Sequence, residues 1–392
     1  MSDVVVAGTV RTAMGRFGRA LKKFTAAELG GPVGREALRR THVDPEDVDE
    51  VVVSNARQAG TGPNLGRQLV PRSGVPLDVP GYTVNMACGS GIKAVELAAE
   101  TIRNKSADCV LVIGVEAMSR IPYLLDGARW GYKLGNSTVH DALHKDGFIC
   151  ALSDQHMGLT AENLAEEYEI PKKESDRFAI MSHRRAVKAA ENGEFESQIL
   201  SLQIAQKRGP DLQFAVDECP RPDTSLEKVS QLPPVFKDDG QITAGNASAI
   251  ADGAAALVVM SEEFAREREI PAGLKLLGFS SAGVDPNRMG IGPVPAVRQL
   301  LDRLNFSLDE FTAIELNDAF AVQVLACLQE LQLQPEDVNP QGGAVALGHP
   351  IGMTGIRMLV ALDHYLNRDQ YGLATMCVNG GMGLAAAVCS LR

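Results

Sequence analysis

The chain lacks the cysteine spacing of a disulfide framework or a zinc site. Its seven cysteines are odd in number and include no Cys-x-x-Cys pair, so neither a disulfide framework nor a zinc signature is present and a reducing compartment is expected. No apolar run approaches the roughly 18 residues of a membrane-spanning helix. The start, Met-Ser-Asp-Val-Val-Val-Ala-Gly, has no basic leader region. A cytoplasmic protein without a membrane span follows as the expectation. Positive charge is in deficit, with 38 Lys and Arg against 49 Asp and Glu and a net charge of -11. That balance argues against nucleic acid as the main partner, while a local basic patch for an anionic cofactor stays possible. The 392 residues are 45% hydrophobic and 22% charged, a globular composition long enough for two or three domains.

Short apolar runs at Val4 to Ala7, Val51 to Val53 and Cys109 to Gly114 read as strands buried on both faces. Helical patterns lie between them, from about Ala26 to Arg40 and again after Gly91. This succession predicts an α/β fold with a mostly parallel sheet. From about Ser119 to Ile242 the alternation is lost, and amphipathic helices at Thr160 to Tyr168 and Glu174 to Asn192 interrupt irregular chain. Strand composition returns at Ala254 to Met260, so the intervening stretch reads as an insertion, a candidate lid or cofactor platform.

The chain is organised around Val84-Asn85-Met86-Ala87-Cys88-Gly89-Ser90-Gly91, which places a cysteine between an extended segment and a helix start. The positive end of that helix is expected to lower the Cys88 pKa towards neutrality. A repeat adds context. Gly31-Pro32-Val33, a helix and Val51-Val52-Val53-Ser54-Asn55 have counterparts in Gly292-Pro293-Val294, a helix and Ile314-Glu315-Leu316-Asn317-Asp318, offset by about 263 residues. The same offset carries Cys88 into Gly342-Gly343-Ala344-Val345-Ala346-Leu347-Gly348-His349-Pro350. It carries the strand at Ile113 to a position beside Cys377-Val378-Asn379-Gly380-Gly381-Met382-Gly383. Two related halves packed about a pseudo-twofold axis would bring these glycine-rich junctions to one crevice. A cysteine, an imidazole base and a second thiol are the parts of an acyl acceptor that can also move a proton.

With these motifs, an N-terminal Arg11-Thr12 and Asn317-Asp318-Ala319-Phe320, the whole chain resembles the thiolases, which make or cleave 3-ketoacyl-CoA by Claisen chemistry. The resemblance implies two βαβαβαββ halves in a five-layer α/β/α/β/α sandwich with an inserted loop domain. The halves would be 1–118 with 243–270 and 271–392, the insertion 119–242. By resemblance, Cys88 is the nucleophile, His349 its base and Cys377 the acid/base at the α-carbon. Asn317 would hold a water that forms one oxyanion hole with His349, and the backbone N–H groups of Cys88 and Asn379 would form the other. Arg221 matches a position near the adenine nucleotide of CoA, and Ala244 and Ser248 match contacts to pantetheine. His156, Met157, Phe236, Met289 and Phe320 match the pantetheine tunnel and acyl pocket.

Two positions depart from the commonest pattern. Asp318 stands where glutamate is usual, one methylene longer, which leaves its support of the Asn317 loop open. Asn379 stands where glycine is frequent, and asparagine tolerates a left-handed backbone. The resemblance implies no permanently bound cofactor or metal, with CoA and acetyl-CoA as substrates. It also implies a homodimer or homotetramer, in which the segment from Ser119 to Cys150 ties dimers together. His156-Met157 favours acetoacetyl-CoA chemistry. The alternatives are a broad-range 3-ketoacyl-CoA thiolase, a ketoacyl synthase, which Cys377 disfavours, and a catalytically inactive binding subunit. Oxidation is expected to cross-link Cys88 and Cys377 if both are partly thiolate.

Overall fold

The computed structural model describes residues 3–206 and 209–392; Met1 and Ser2, the first residues of the stretch Met-Ser-Asp-Val-Val-Val-Ala-Gly, lie outside them. The first half comprises β1 (Val4–Thr12), α1 (Ala26–Thr41), β2 (Glu50–Ser54), α2 (Leu65–Arg72), β3 (Gly81–Val84), α3 (Ser90–Arg103) and β4 (Cys109–Ala117). An insertion with α4 (Met157–Glu167) and α5 (Lys172–Glu191) precedes β5 (Ala251–Ser261), which closes this half. The second half comprises β6 (Leu274–Gly283), α6 (Pro293–Leu304), β7 (Phe311–Leu316), α7 (Ala321–Leu331), α8 (Ile351–Tyr365), β8 (Tyr371–Val378) and β9 (Met382–Ser390).

Strand side chains alternate between faces, and β1 shows how that builds layers. Val4 and Val6 enter a core between the halves, whereas Val5 and Ala7 enter one beneath α1. Helices α1 and α2 cover the outer face of the first half, and α6 and α7 cover that of the second. Between the half-sheets lie α3 and α8, giving the five-layer α/β/α/β/α sandwich. Strand order is β7-β8-β9-β6-β1-β5-β4-β2-β3, and β1 meets β6 at Val5–Lys275 and Val6–Leu274, the seam between halves.

The expectation of a mostly parallel sheet is corrected. Parallel pairs join β4 to β2, β2 to β3 and β7 to β8, but β1–β5, β5–β4, β6–β9 and β8–β9 are antiparallel. A continuous apolar run reports burial on both faces and carries no information about strand direction. Direction is set by the connections: β8 turns straight back into β9 through Gly380 and Gly381, whose φ values are +94° and +81°. The repeat is also incomplete, because β3 has no full counterpart; a single bridge from Ile314 to Val338 stands in its place. The insertion packs across the seam, with α4 and α5 resting on α7 of the second half.

The middle helices touch at glycine. A Cβ on Gly91 would stand 2.9 Å from the Gly355 Cα, and one on Gly355 would stand 2.5 Å from the Ile92 nitrogen. Both glycines lie in the first turns of their helices, so the crossing gathers what immediately precedes each helix: Cys88 before α3 and His349 before α8.

Candidate active site

Strand β3 ends at Val84, and the chain then winds into α3. Ala87 adopts φ +45°, a costly left-handed conformation for a residue with a Cβ. Its neighbours hold it there. The Asn85 side-chain oxygen accepts from the Ala87 N–H (3.0 Å), while Ser90 Oγ accepts from the Met86 N–H (2.8 Å) and donates to the Ala87 carbonyl (2.6 Å). Cys88 is thereby fixed at the helix start, packed against the small buried cluster of Ala56, Met118, Leu143 and Ile351.

The helix start does not produce a low pKa. Burial pushes the Cys88 thiol up, against the opposing pull of the Arg57 guanidinium and of the backbone N–H groups of Asn379 and Cys88 itself. Removing the sulfur from water costs the anion more than these donors return. Cys377, at the end of β8, is raised well above the usual thiol value by burial and by the nearby Cys88 sulfur. Both are free thiols, and burial favours the protonated form of each, against the expectation of two partly ionised sulfurs.

His349 donates its N–H to the Ala249 carbonyl at 2.9 Å. Its Nδ1 lies 2.7 Å from Thr354 Oγ1, and the Thr354 hydroxyl donates its proton to the Pro350 carbonyl at 2.9 Å. The threonine oxygen therefore accepts from Nδ1–H, which leaves the lone pair on Nε2. Nε2 is buried with no protein partner. Burial, with Arg57 and Arg357 adding positive charge, pushes the His349 pKa down to about 3, so the ring is a neutral base at physiological pH.

Asn317 follows β7, with its N–H bonded to the Thr375 carbonyl at 3.0 Å and both side-chain polar atoms buried without a protein partner. Asp318 reaches its supports despite the shorter side chain. One carboxyl oxygen accepts from the Ala344 N–H, the other from the Ser182 hydroxyl (3.2 Å), whose own oxygen accepts from the Gly343 N–H (3.0 Å). The inserted helix α5 supplies Ser182, so the insertion makes up the missing methylene. Burial raises the Asp318 pKa to about 7. Asn379 needs no left-handed backbone, since Gly380 and Gly381 take the positive φ values; its Nδ2 instead donates to the Gly147 carbonyl at 3.0 Å.

A cavity of about 490 Å³ leads to His349 and is lined by Ala244, Ser248, His156, Met157, Phe236 and Phe320, among others. His156 stacks on Phe236 at 4.5 Å, and Phe236 meets Phe320 edge-on at 6.1 Å. His156 Nδ1 caps α4 by accepting from the Gly158 N–H (3.0 Å), and burial pushes its pKa down to about 4. Met289, expected on this wall, is instead buried in the core between α4 and the second half. Arg221, expected near the nucleotide, is half-buried outside the cavity, its N–H on His183 Nδ1 at 3.2 Å.

Three residues near the reactive groups were not singled out from the sequence: Arg57, Glu116 and Thr354. Glu116 accepts from Asn55 Nδ2 (2.8 Å) and from the N–H groups of Ala56 (3.1 Å), Arg57 (3.0 Å) and Gly352 (2.8 Å), joining the halves beneath the site. A carboxyl group inside the apolar β4 run was a readable signal. Arg57 and Thr354 gave none.

The thiolase N-terminal domain family matches residues 4–263 and the thiolase C-terminal domain family matches residues 271–390. The chain belongs to the thiolase family. This thiolase is 46% identical over 389 residues to a probable acetyl-CoA acyltransferase of Staphylococcus aureus (strain COL), with 99% of each chain covered. It superposes on the acetyl-CoA acetyltransferase of Bacillus anthracis with a TM-score of 0.97 at 43% identity, covering 100% of this chain and 99% of that one. Human mitochondrial 3-ketoacyl-CoA thiolase, also solved in complex with CoA, gives a TM-score of 0.95 at 37% identity with 99% of both chains covered. The thiolase is an acyltransferase with the fold of these enzymes. No helix among its described residues is long and apolar enough to cross a membrane.

Proposed function

We propose that the chain catalyses reversible Claisen condensation of two acetyl-CoA molecules to acetoacetyl-CoA and CoA, or thiolysis of short 3-ketoacyl-CoA. The observation that carries this reading is the unpartnered, buried Nε2 of His349, fixed as a base by Thr354 and brought by the Gly91–Gly355 crossing to the Cys88 end of α3. Nε2 takes the Cys88 proton as the sulfur attacks the thioester carbonyl. The Cys88 S–C bond forms, the C–S bond to CoA breaks, and the proton passes to the departing CoA sulfur. Backbone N–H groups of Cys88 and Asn379 stabilise one oxyanion, and His349 with a water held by Asn317 stabilises the other. Cys377, kept a thiol at rest by burial, is the acid that protonates the leaving enolate in thiolysis. In synthesis it passes that proton to neutral His349 once the first CoA has left, and as a thiolate takes one from the methyl of the second acetyl-CoA; His349 returns its proton to the Cys88 sulfur as the C–C bond forms and the S–C bond to Cys88 breaks.

The same reading divides the chain into a nucleophile half (1–118 with 243–270), a CoA-binding insertion (119–242) and a half carrying His349 and Cys377 (271–392). Ala244, Ser248, His156, Met157, Phe236 and Phe320 face the pantetheine and acyl chain, with Arg221 towards the nucleotide end. The insertion exposes Tyr123, Trp130 and Leu134, apolar surface that favours burial between subunits of a homotetramer. A cytoplasmic setting agrees with seven free thiols. Broad-range thiolysis stays a second reading, favoured by the absence of Met289 from the cavity wall. The test is incubation with acetyl-CoA and peptide mass mapping: one acetyl group is expected on the Cys88 peptide and none in Cys88→Ser. Label retained in that variant refutes the assignment.

A further inference from the structure

Arg57 is 7% exposed, and a buried guanidinium must be held by good partners or be costly. Its Nη2 donates to the Gly147 carbonyl at 2.8 Å, its Nη1 stands 3.5 Å from the Ala56 carbonyl, and its plane lies 5.9 Å from the centre of the Phe148 ring. Nε is buried and has no protein partner. The two carbonyls are shared. Gly147 O also accepts from Asn379 Nδ2 at 3.0 Å, and Ala56 O accepts from Asn85 Nδ2 at 3.3 Å. Asn85 holds the Ala87 turn before Cys88, and Asn379 presents its N–H to the Cys88 sulfur.

We propose that Arg57 is a positioning residue for acyl transfer, fastening the Cys88 loop to the Asn379 loop and supplying a fixed positive charge that favours an anion between them. The proposal rests on the reading of Cys88 as nucleophile. Arg57 is the largest influence opposing burial at Cys88 and outweighs the opposite effect of the neighbouring Glu116 carboxyl group. It also presses His349 towards its neutral form, so a proton taken from Cys88 is readily passed on to the CoA leaving group. One cation thus acts on both partners of the proton transfer.

The test uses Arg57→Met and Arg57→Lys in the full chain. Two quantities are measured: the pH midpoint of Cys88 alkylation by iodoacetamide, and the rate of the CoA burst from acetyl-CoA. Arg57→Met is expected to raise the midpoint by about one unit and to slow the burst by about tenfold or more with KM little changed. Arg57→Lys, which keeps the charge and loses the fork, is expected to return the midpoint to the parent value. A folded Arg57→Met with the parent midpoint and burst rate overturns the proposal. Should that variant not fold, Asn379→Ala decides, because it keeps the N–H and cuts the link through Gly147: a burst slowed by about fivefold supports the proposal and an unchanged burst overturns it. A parent that takes no acetyl group on Cys88 overturns both this proposal and the reading beneath it. A parent that does, matched by Arg57→Met, overturns the role of Arg57 alone.

Discussion

Gly91 and Gly355 meet backbone to backbone, with space for a Cβ on Gly91 ending 2.9 Å from the Gly355 Cα. This contact decides how closely α3 and α8 approach, and with them Cys88 and His349. A methyl group there has main chain, not a flexible side-chain end, to displace. Gly355→Ala is therefore expected to destabilise the protein by about 1–3 kcal/mol and to reduce acyl transfer. Denaturant midpoints and acetyl transfer rates check this, and an unchanged midpoint refutes it.

Thr354 fixes the His349 tautomer through the 2.7 Å contact to Nδ1. Thr354→Val keeps the shape but leaves Nδ1–H without an acceptor, so the ring is free to carry its proton on Nε2, where it is no base. The burst is expected to slow by about tenfold with little change in KM. Thr354→Ser should keep most of the rate, and equal rates for serine and valine would count against the hydrogen bond.

Stability should respond to pH through two buried groups of opposite sign. The Asp318 pKa is raised from 3.8 to about 7, so the folded state holds the extra proton. Its contribution is complete below about pH 4 and is lost as pH rises through 7. The His349 pKa is lowered from 6.5 to about 3, so its contribution is present above about 6.5 and is lost as pH falls towards 3. Asp318→Asn keeps an acceptor for the Ala344 N–H and removes the titration. Against the parent, its Tm should rise relatively between pH 4 and 7, and parallel Tm curves would refute the shift.

Cys377→Ala is expected to block hydrogen–deuterium exchange at the acetyl-CoA methyl while leaving acetyl transfer to Cys88 within a few-fold of the parent. His349→Ala should slow both. Equal loss of the two activities in Cys377→Ala would contradict the division of labour between the thiols.

Acyl length is tested by kcat/KM for acetoacetyl-CoA against a 3-ketoacyl-CoA of eight or more carbons. Each extra methylene gains about 0.8 kcal/mol if space exists, and forcing it against the packed Met157, Phe236 and Phe320 wall costs about 1–3 kcal/mol. A preference of about tenfold or more for acetoacetyl-CoA is expected. Parity or better on the long substrate would favour broad-range thiolysis, with Met289 outside the wall as its structural basis.

Sequence alone identified the family and two related halves, because glycine-rich junctions, apolar runs and their offset are local patterns that survive without coordinates. It also marked Cys88, His349, Cys377 and Asn317, whose residue types stand inside those patterns. Other features depend on which segments meet. Strand direction in the sheet came from connections that composition does not encode. The raised Cys88 thiol came from burial, which outweighs the helix end that the sequence shows. Asp318 is supported because α5 brings Ser182 from 136 residues away, and Arg57 and Thr354 matter through carbonyls and a ring nitrogen in other segments. The sequence marked which groups are candidates for the chemistry; the tertiary structure decided their charge state and orientation, since both depend on desolvation and hydrogen bonds between distant parts of the chain.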